Sequence, residues 1–252
     1  MPGQSIARDD KCPLCSGDDS TSHILGGCAD AEMKSCFIGR HDEAARLILA
    51  AALKGSNGNR VVYADMGSAE KVKHLQTGDK AVGPSVIPDR ILRENNFAVK
   101  DRRKLRPDAL ILEEKLRGKK RKHAGHDQPA HLPKGGRGKA FILEVGYTNE
   151  TRYEEKLQEK EQQHSTLIKL LEASGFEAIL CPVILGTTGG IFHSSKKALL
   201  ELGVPRATVQ KLDQKLHVHG INSMHAIIKL RRLKEQFSSP FHQRERKPPD
   251  KC

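Results

Sequence analysis

The chain has 252 residues, room for one ordinary domain and a small appendage. Its 43 Lys+Arg against 31 Asp+Glu leave a net charge of +12, and 37% hydrophobic content with no Trp allows a modest core. The longest apolar run, Arg46 to Leu53, is far short of the ~18–20 residues of a membrane span, and the polar opening MPGQSIARDDKC reads as no secretory signal.

Residues 1–35 are Gly/Asp/Ser-rich, hold three of the six Cys, and have too little apolar material to fold without a staple. From Arg40 the pattern changes. Ala44, Leu47, Ile48, Ala51 and Ala52 recur at helical spacing, and Gly55 ends the run. Arg60 to Ala64 reads as a short strand and 78–88 as a loop. Arg106-Pro107-Asp108-Ala109-Leu110-Ile111-Leu112 reads as a strand opened by its proline, where the missing N–H costs least. A Gly/Lys/Arg/His/Pro-rich insertion, 115–139, has no apolar periodicity and reads as a loop.

Phe141 to Tyr147 is the next strand. Thr151 and Glu154 have capping-box spacing for a helix through about Ala173, ended by Gly175, with Tyr153, Leu157, His164, Leu167, Ile168 and Leu171 in one stripe. Phe176 to Leu185 is a strand apolar enough to be central, and helical stretches follow near 195–202 and 205–233. The expected fold is α/β, a small mixed sheet flanked by helices and preceded by a small zinc knuckle. Its expected division is knuckle 1–39, catalytic domain 40–202 with the basic insertion, and C-terminal helix with basic tail 203–252.

The charge is concentrated. Residues 115–139 carry a local +8, including Lys119, Lys120, Arg121 and Lys122, and 229–251 carry +5. Two such segments point to a polyanion, since each cation placed on a phosphate releases a condensed counterion; a solvated loop and tail is the bland alternative. With 4% aromatic residues there is no stacking platform for single strands, so backbone contact is favoured over base reading.

Cys12-x2-Cys15-x7-His23-x4-Cys28 supplies four S/N ligands, the set a structural Zn²⁺ takes, with Pro13 stiffening the knuckle and Gly26-Gly27 turning the chain before the last ligand. Cys36 and His41 lie near enough to compete, with less regular spacing. Cys181, inside an apolar strand, reads as a core thiol. His217, His219 and His225 read as surface or core residues rather than a second metal site.

Two carboxylates sit where acids are awkward. Asp108 stands at the mouth of an apolar strand, and Glu144 lies within Phe-Ile-Leu-Glu-Val-Gly-Tyr, sharing a face with Ile142 and Gly146 by alternation. If the two strands are neighbours, both acids converge at the sheet edge and can hold a hard cation such as Mg²⁺, which lowers the pKa of bound water and polarises a phosphodiester. Lys156, early in the following helix, is the candidate amine for steadying developing charge.

The order of Cys12, Cys15, His23 and Cys28, then Arg40-His41-Asp42, then Arg106-Pro107-Asp108, then Glu144 and Lys156 resembles the restriction-like endonuclease of the PD-(D/E)xK superfamily at the C-terminal end of site-specific non-LTR retrotransposon polyproteins. The resemblance runs from about Lys11 to Phe192. It implies a DNA endonuclease that nicks its target, with Asp108 and Glu144 as Mg²⁺ ligands and Lys156 as catalytic lysine. It also implies DNA contacts from Arg40, His41 and Arg106, the element's RNA as a further partner, and a nuclear location. The common pattern places the lysine two residues after the second acid, where this chain has Gly146; some members carry it on the next helix, as Lys156 would be. Lys160 is an alternative to Lys156, and Glu113 and Glu114 are alternatives to Glu144. The family's Arg-His-Asn reads Arg-His-Asp here. Tyr63-Ala64-Asp65-Met66 lacks the second acid of a polymerase metal pair, so the chain is expected to supply the cut without the reverse transcriptase. A nucleic-acid-binding module with a decayed nuclease fold is the rival expectation.

Overall fold

The computed structural model describes residues 11–54, 60–64, 80–82, 87–98, 100–101, 105–114 and 136–238. Lys119, Lys120, Arg121, Lys122, Asp65 and the basic tail beyond 238 fall outside them. The strands are β1 (Arg60–Ala64), β2 (Lys80–Val82), β3 (Ala109–Glu114), β4 (Gly138–Thr148) and β5 (Phe176–Gly186). The α-helices are α1 (Ala31–Leu53), α2 (Asp89–Glu94), α3 (Tyr153–Ala173), α4 (His193–Glu201) and α5 (Arg206–Ser238).

The sheet order is β2-β1-β3-β4-β5. β1, β3 and β4 form an antiparallel meander, α3 crosses over, and β5 returns parallel to β4. Alternation along the strands divides the core. Ala109, Ile111, Phe141, Leu143 and Val145 pack toward α1, α4 and the first half of α5. Leu110, Leu112, Ala140 and Ile142 pack toward α2 and α3. Two helical layers therefore cover a mixed sheet, as alternating apolar strands buried on both faces require.

Helix α1 begins earlier than its periodicity announces. Asp30 accepts hydrogen bonds from the N–H groups of Glu32 and Met33, both at 3.1 Å, and so caps a helix starting at Ala31. The expected boundary at 39/40 thus falls inside one continuous helix. Met33 packs with Cys12, Leu25 and Cys28, whereas Ala44, Ile48, Leu49 and Ala52 pack on the sheet. One helix serves two small cores.

The C-terminal helix is equally shared. Val209, Leu212 and Leu216 belong to the main core, and Ile227 belongs to the knuckle's cluster, with Met224, Ile228 and Leu230 against it. The expected separate unit at 203–252 is therefore, through 238, part of both cores. Its approach to the loop after β5 is backbone on backbone: a Cβ at Gly220 would lie 2.4 Å from the Thr188 carbonyl oxygen. Gly189, at φ +83°, meets the helix from the other side.

The start of α3 also differs. Asn149, not Thr151, is the capping side chain, accepting from Arg152 N–H at 3.1 Å across a 3₁₀ turn, and α3 proper begins at Tyr153. Among the described residues, no helix is long and apolar enough to cross a membrane.

Candidate metal centre and carboxylate site

The knuckle is built by a tight turn at Cys12–Cys15, with Ser16 in the left-handed region at φ 60°, and a short helical turn, His23–Gly27, that returns the chain to Cys28. The four ligand atoms of Cys12, Cys15, His23 and Cys28 all lie within 4.8 Å of one another. Cys12 Sγ is 4.0 Å from Cys28 Sγ, Cys28 Sγ is 3.7 Å from Cys15 Sγ, and Cys15 Sγ is 3.2 Å from His23 Nε2. A tetrahedron with Zn–S bonds of ~2.3 Å has edges of about 3.8 Å, so the spacing suits an ion of that size. This group could hold a metal such as zinc. Backbone N–H groups of Ala29 and Gly17 lower the Cys15 thiol to about 6, while burial pushes Cys28 up to about 11. Cys36 is half-buried beside this cluster and outside the four-atom group.

At the other site, the antiparallel register pairs Ala109 with Leu143, so Asp108 stands at the next position, opposite Glu144. Asp108 extends β3 with its side chain: Oδ2 accepts the Val145 N–H at 2.6 Å. The same oxygen lies 3.2 Å from His41 Nε2, on α1. His41 Nδ1 is 3.2 Å from Asp42 Oδ1. Burial pulls the His41 imidazole down, but Asp108 and Asp42 outweigh it and raise it to about 9. Glu113 pairs with Arg60 at the far end of β3. Five residues of strand, roughly 17 Å, separate it from Asp108, so it cannot share an ion with that acid. The Glu114 side chain lies outside the described residues.

Glu144 is 4% exposed and faces α3. Its Oε1 accepts from Lys160 Nζ at 2.6 Å and its Oε2 from His164 Nε2 at 2.9 Å. Burial disfavours the ionised carboxylate, yet His164 and Lys160 together hold it below the usual range. Lys156, the lysine expected from sequence, sends its amine to Glu159 instead, at 2.8 Å. Its stem is nonetheless near: a Cβ on Gly146 would lie 3.7 Å from Lys156 Cε and 3.8 Å from Lys160 Cε. Both lysine stems thus lie at ordinary contact distance over Gly146, while the tighter neighbour of an added Cβ would be Ile184 Cδ1 at 3.3 Å. His164 carried no functional reading in the sequence; the four-residue steps from Lys156 to Lys160 and from Lys160 to His164 are the signal that puts all three on one helix face.

Arg40 is not displayed on the surface. It is 6% exposed, donates from Nη2 to the Leu25 carbonyl at 2.8 Å, and places its guanidinium carbon 4.2 Å from the Tyr147 ring centroid. Its Nε and Nη1 and the Tyr147 hydroxyl are buried without hydrogen-bond partners. A cleft of about 320 Å³ between knuckle and β4 is lined by Arg40, Tyr147, Arg152, Asn149 and Thr187 among others, none of them acidic. Arg106 is exposed at the mouth of β3. His219 Nε2 donates to the Arg40 carbonyl at 3.0 Å, so it ties α5 to α1. Cys181 is fully buried and pushed up to about 12, as a core thiol should be.

The Cys/His group is the one set of three or more ligating side chains gathered for a single ion among the described residues; Asp108 and Glu144 belong to no such set, their carboxylates engaging His41 and His164 on different helices. No known family model matches the chain, and no curated protein matches it.

Proposed function

We propose that the chain is a metal-dependent DNA endonuclease of the restriction-like type, nicking its target from a zinc-stapled scaffold. The observation that carries this reading is that Asp108 and Glu144 come from the same end of two neighbouring antiparallel strands, with a lysine of α3 on the second acid. Asp108 accepts the N–H of Val145, the residue after Glu144, and contacts His41 of α1, while Glu144 faces α3 and accepts from Lys160 and His164. The strand itself has Gly146 two residues beyond Glu144, so the lysine is supplied by α3. Helix α1, the three-strand meander, the crossover helix and the parallel β5 form the scaffold for it.

Asp108 and Glu144 are hard oxygen donors and fit Mg²⁺ in kind; a cation arriving at Glu144 must compete with Lys160 for Oε1. When bound, the ion would supply Lewis-acid polarisation of the phosphodiester and a water of lowered pKa. Lys160 keeps Glu144 ionised against burial and brings positive charge to the place where phosphate charge develops. His41 fixes the rotamer of Asp108, and Val145 N–H anchors the same oxygen. Zinc is the metal assigned to the Cys/His group. The acid-free cleft around Arg40 is the seat for one backbone phosphate, and Arg106 with the 115–139 run supplies further phosphate contacts.

The test is nicking of supercoiled plasmid by the zinc-loaded chain with Mg²⁺. The parent should nick, and Asp108→Ala should lose about a hundredfold or more. No nicking by the parent, or equal nicking by the variant, overturns the assignment. A second reading, a binding module with a retired catalytic site, is favoured by one observation: both Glu144 oxygens are already satisfied by Lys160 and His164. It requires salt-dependent DNA binding without cleavage, unchanged by Asp108→Ala.

A further inference from the structure

The middle and end of α5 lie against the knuckle, and one contact there reaches a metal-ligand atom itself. Arg231 is 5% exposed. Its Nη1 lies 3.7 Å from Cys12 Sγ, its Nη2 donates to Asp19 Oδ2 at 2.8 Å, and its Nε donates to Glu235 Oε1 at 2.5 Å. One turn on, Lys234 Nζ is 2.8 Å from Asp30 Oδ2, the carboxylate that caps α1.

The charges explain the placement. Three thiolates and one imidazole around Zn²⁺ leave a net negative unit in a cluster where Cys12 and Cys28 are only 2% and 1% exposed. Buried charge is tolerated when paired and hydrogen-bonded. Arg231 supplies both from 219 positions along the chain. Asp19 and Glu235 orient its planar fork, so that Nη1 faces the sulfur. Groups that hydrogen-bond to metal ligands set the ligands' orientation and donor strength, and losing one typically weakens metal binding ~10–100-fold.

We propose that Arg231 is a positioning residue of the zinc centre, donating an N–H···S hydrogen bond to Cys12, so that helix α5 is a working part of the metal site. This rests on the zinc reading of the knuckle and is independent of whether the molecule cuts DNA. It gives the C-terminal helix a role that its sequence does not announce.

The test uses the full chain, with zinc measured by competition against a chelating dye and with Co²⁺ as a spectroscopic substitute. Arg231→Met should release zinc about tenfold more readily than the parent. Its sulfur-to-cobalt charge-transfer band should move to longer wavelength, since a sulfur relieved of a hydrogen bond is a better donor. Lys234→Gln loosens the same helix at its contact with Asp30 while leaving Arg231 and both its carboxylate partners in place, and should change zinc affinity less than about threefold with the band unmoved. If Arg231→Met fails to fold, Arg231→Lys, which keeps the charge and loses the fork, carries the spectral measurement. Equal zinc retention with an unmoved band in the Arg231 variants overturns the proposal. So does loosening by Lys234→Gln equal to that of Arg231→Met, because the helix rather than the sulfur contact would then be responsible. A parent chain that takes up no zinc overturns the metal reading itself, a separate and recognisable result.

Discussion

Lys160 Nζ lies 2.6 Å from Glu144 Oε1, while Lys156, one turn earlier on the same helix face, turns to Glu159. The amine that neutralises the buried acid is therefore the later of the two.

Lys160→Met should be the more damaging lysine substitution. It leaves Glu144 with His164 as its partner in a buried site, at a cost of about 3 kcal/mol in denaturant unfolding. In the nicking assay it should lose about a hundredfold, against a few-fold for Lys156→Met. The reverse order in nicking rates would return the catalytic role to Lys156.

The His41–Asp108 contact predicts a pH dependence. A group whose folded pKa stands at about 9, above the ordinary 6.5, stabilises fully below 6.5 and loses its contribution as pH rises through 9. In buffer without divalent ions, the thermal midpoint of the parent should exceed that of His41→Gln at pH 6, and the gap should narrow steadily between pH 7 and 10. A gap that stays constant over this range shows that His41 is not held as an imidazolium.

The sheet was legible because its strands carry uninterrupted apolar alternation. Phe141, Leu143 and Val145 do face one layer while Ile142 and Glu144 face the other. What local pattern cannot carry is partner choice over long distances. The stripe of α1 changes partners along its length, from the knuckle at Met33 to the sheet at Ala44, and only the second half reads as a conventional core stripe. The same holds for α5, whose contacts with Cys12 and Asp30 span more than 200 residues. Lys156 and its alternative Lys160 share one helix face by periodicity; the choice of acid, Glu144 for Lys160 and Glu159 for Lys156, rests on contacts that the period does not carry. Arg40 and His41 enter the sequence reading as DNA contacts through the resemblance alone; in the fold Tyr147 and Asp108 draw them inward.

Tyr147→Phe should be neutral or stabilising. The hydroxyl it removes is buried without a partner, a state that typically costs about 1–3 kcal/mol, and the ring beneath Arg40 is retained. Urea unfolding of the two chains decides it. A loss above about 1 kcal/mol would mean the hydroxyl has a partner in solution.

Two glycine substitutions should act in opposite directions. Gly220→Ala drives a methyl into the Thr188 backbone and should destabilise by about 1–3 kcal/mol or more. Gly39→Ala, exposed within α1 and with nothing inside 4 Å of the added carbon, should stabilise by about 0.5–1 kcal/mol through helix propensity. Thermal melts of both variants check this, and a destabilised Gly39→Ala would place an unseen neighbour on that face.

Because a single α-helix runs from the Asp30 cap to Leu53, the end beside the Cys/His group and the end that packs on the sheet turn on one shaft. A residue inserted between Cys36 and Ala44 would rotate one against the other by about 100°, whereas four inserted residues would nearly restore the phase and add roughly 6 Å. The Cys/His group and the Asp108 carboxylate, which meets the same helix at His41, are therefore set apart by a fixed offset, written into the chain as a helical pitch rather than left to a tether.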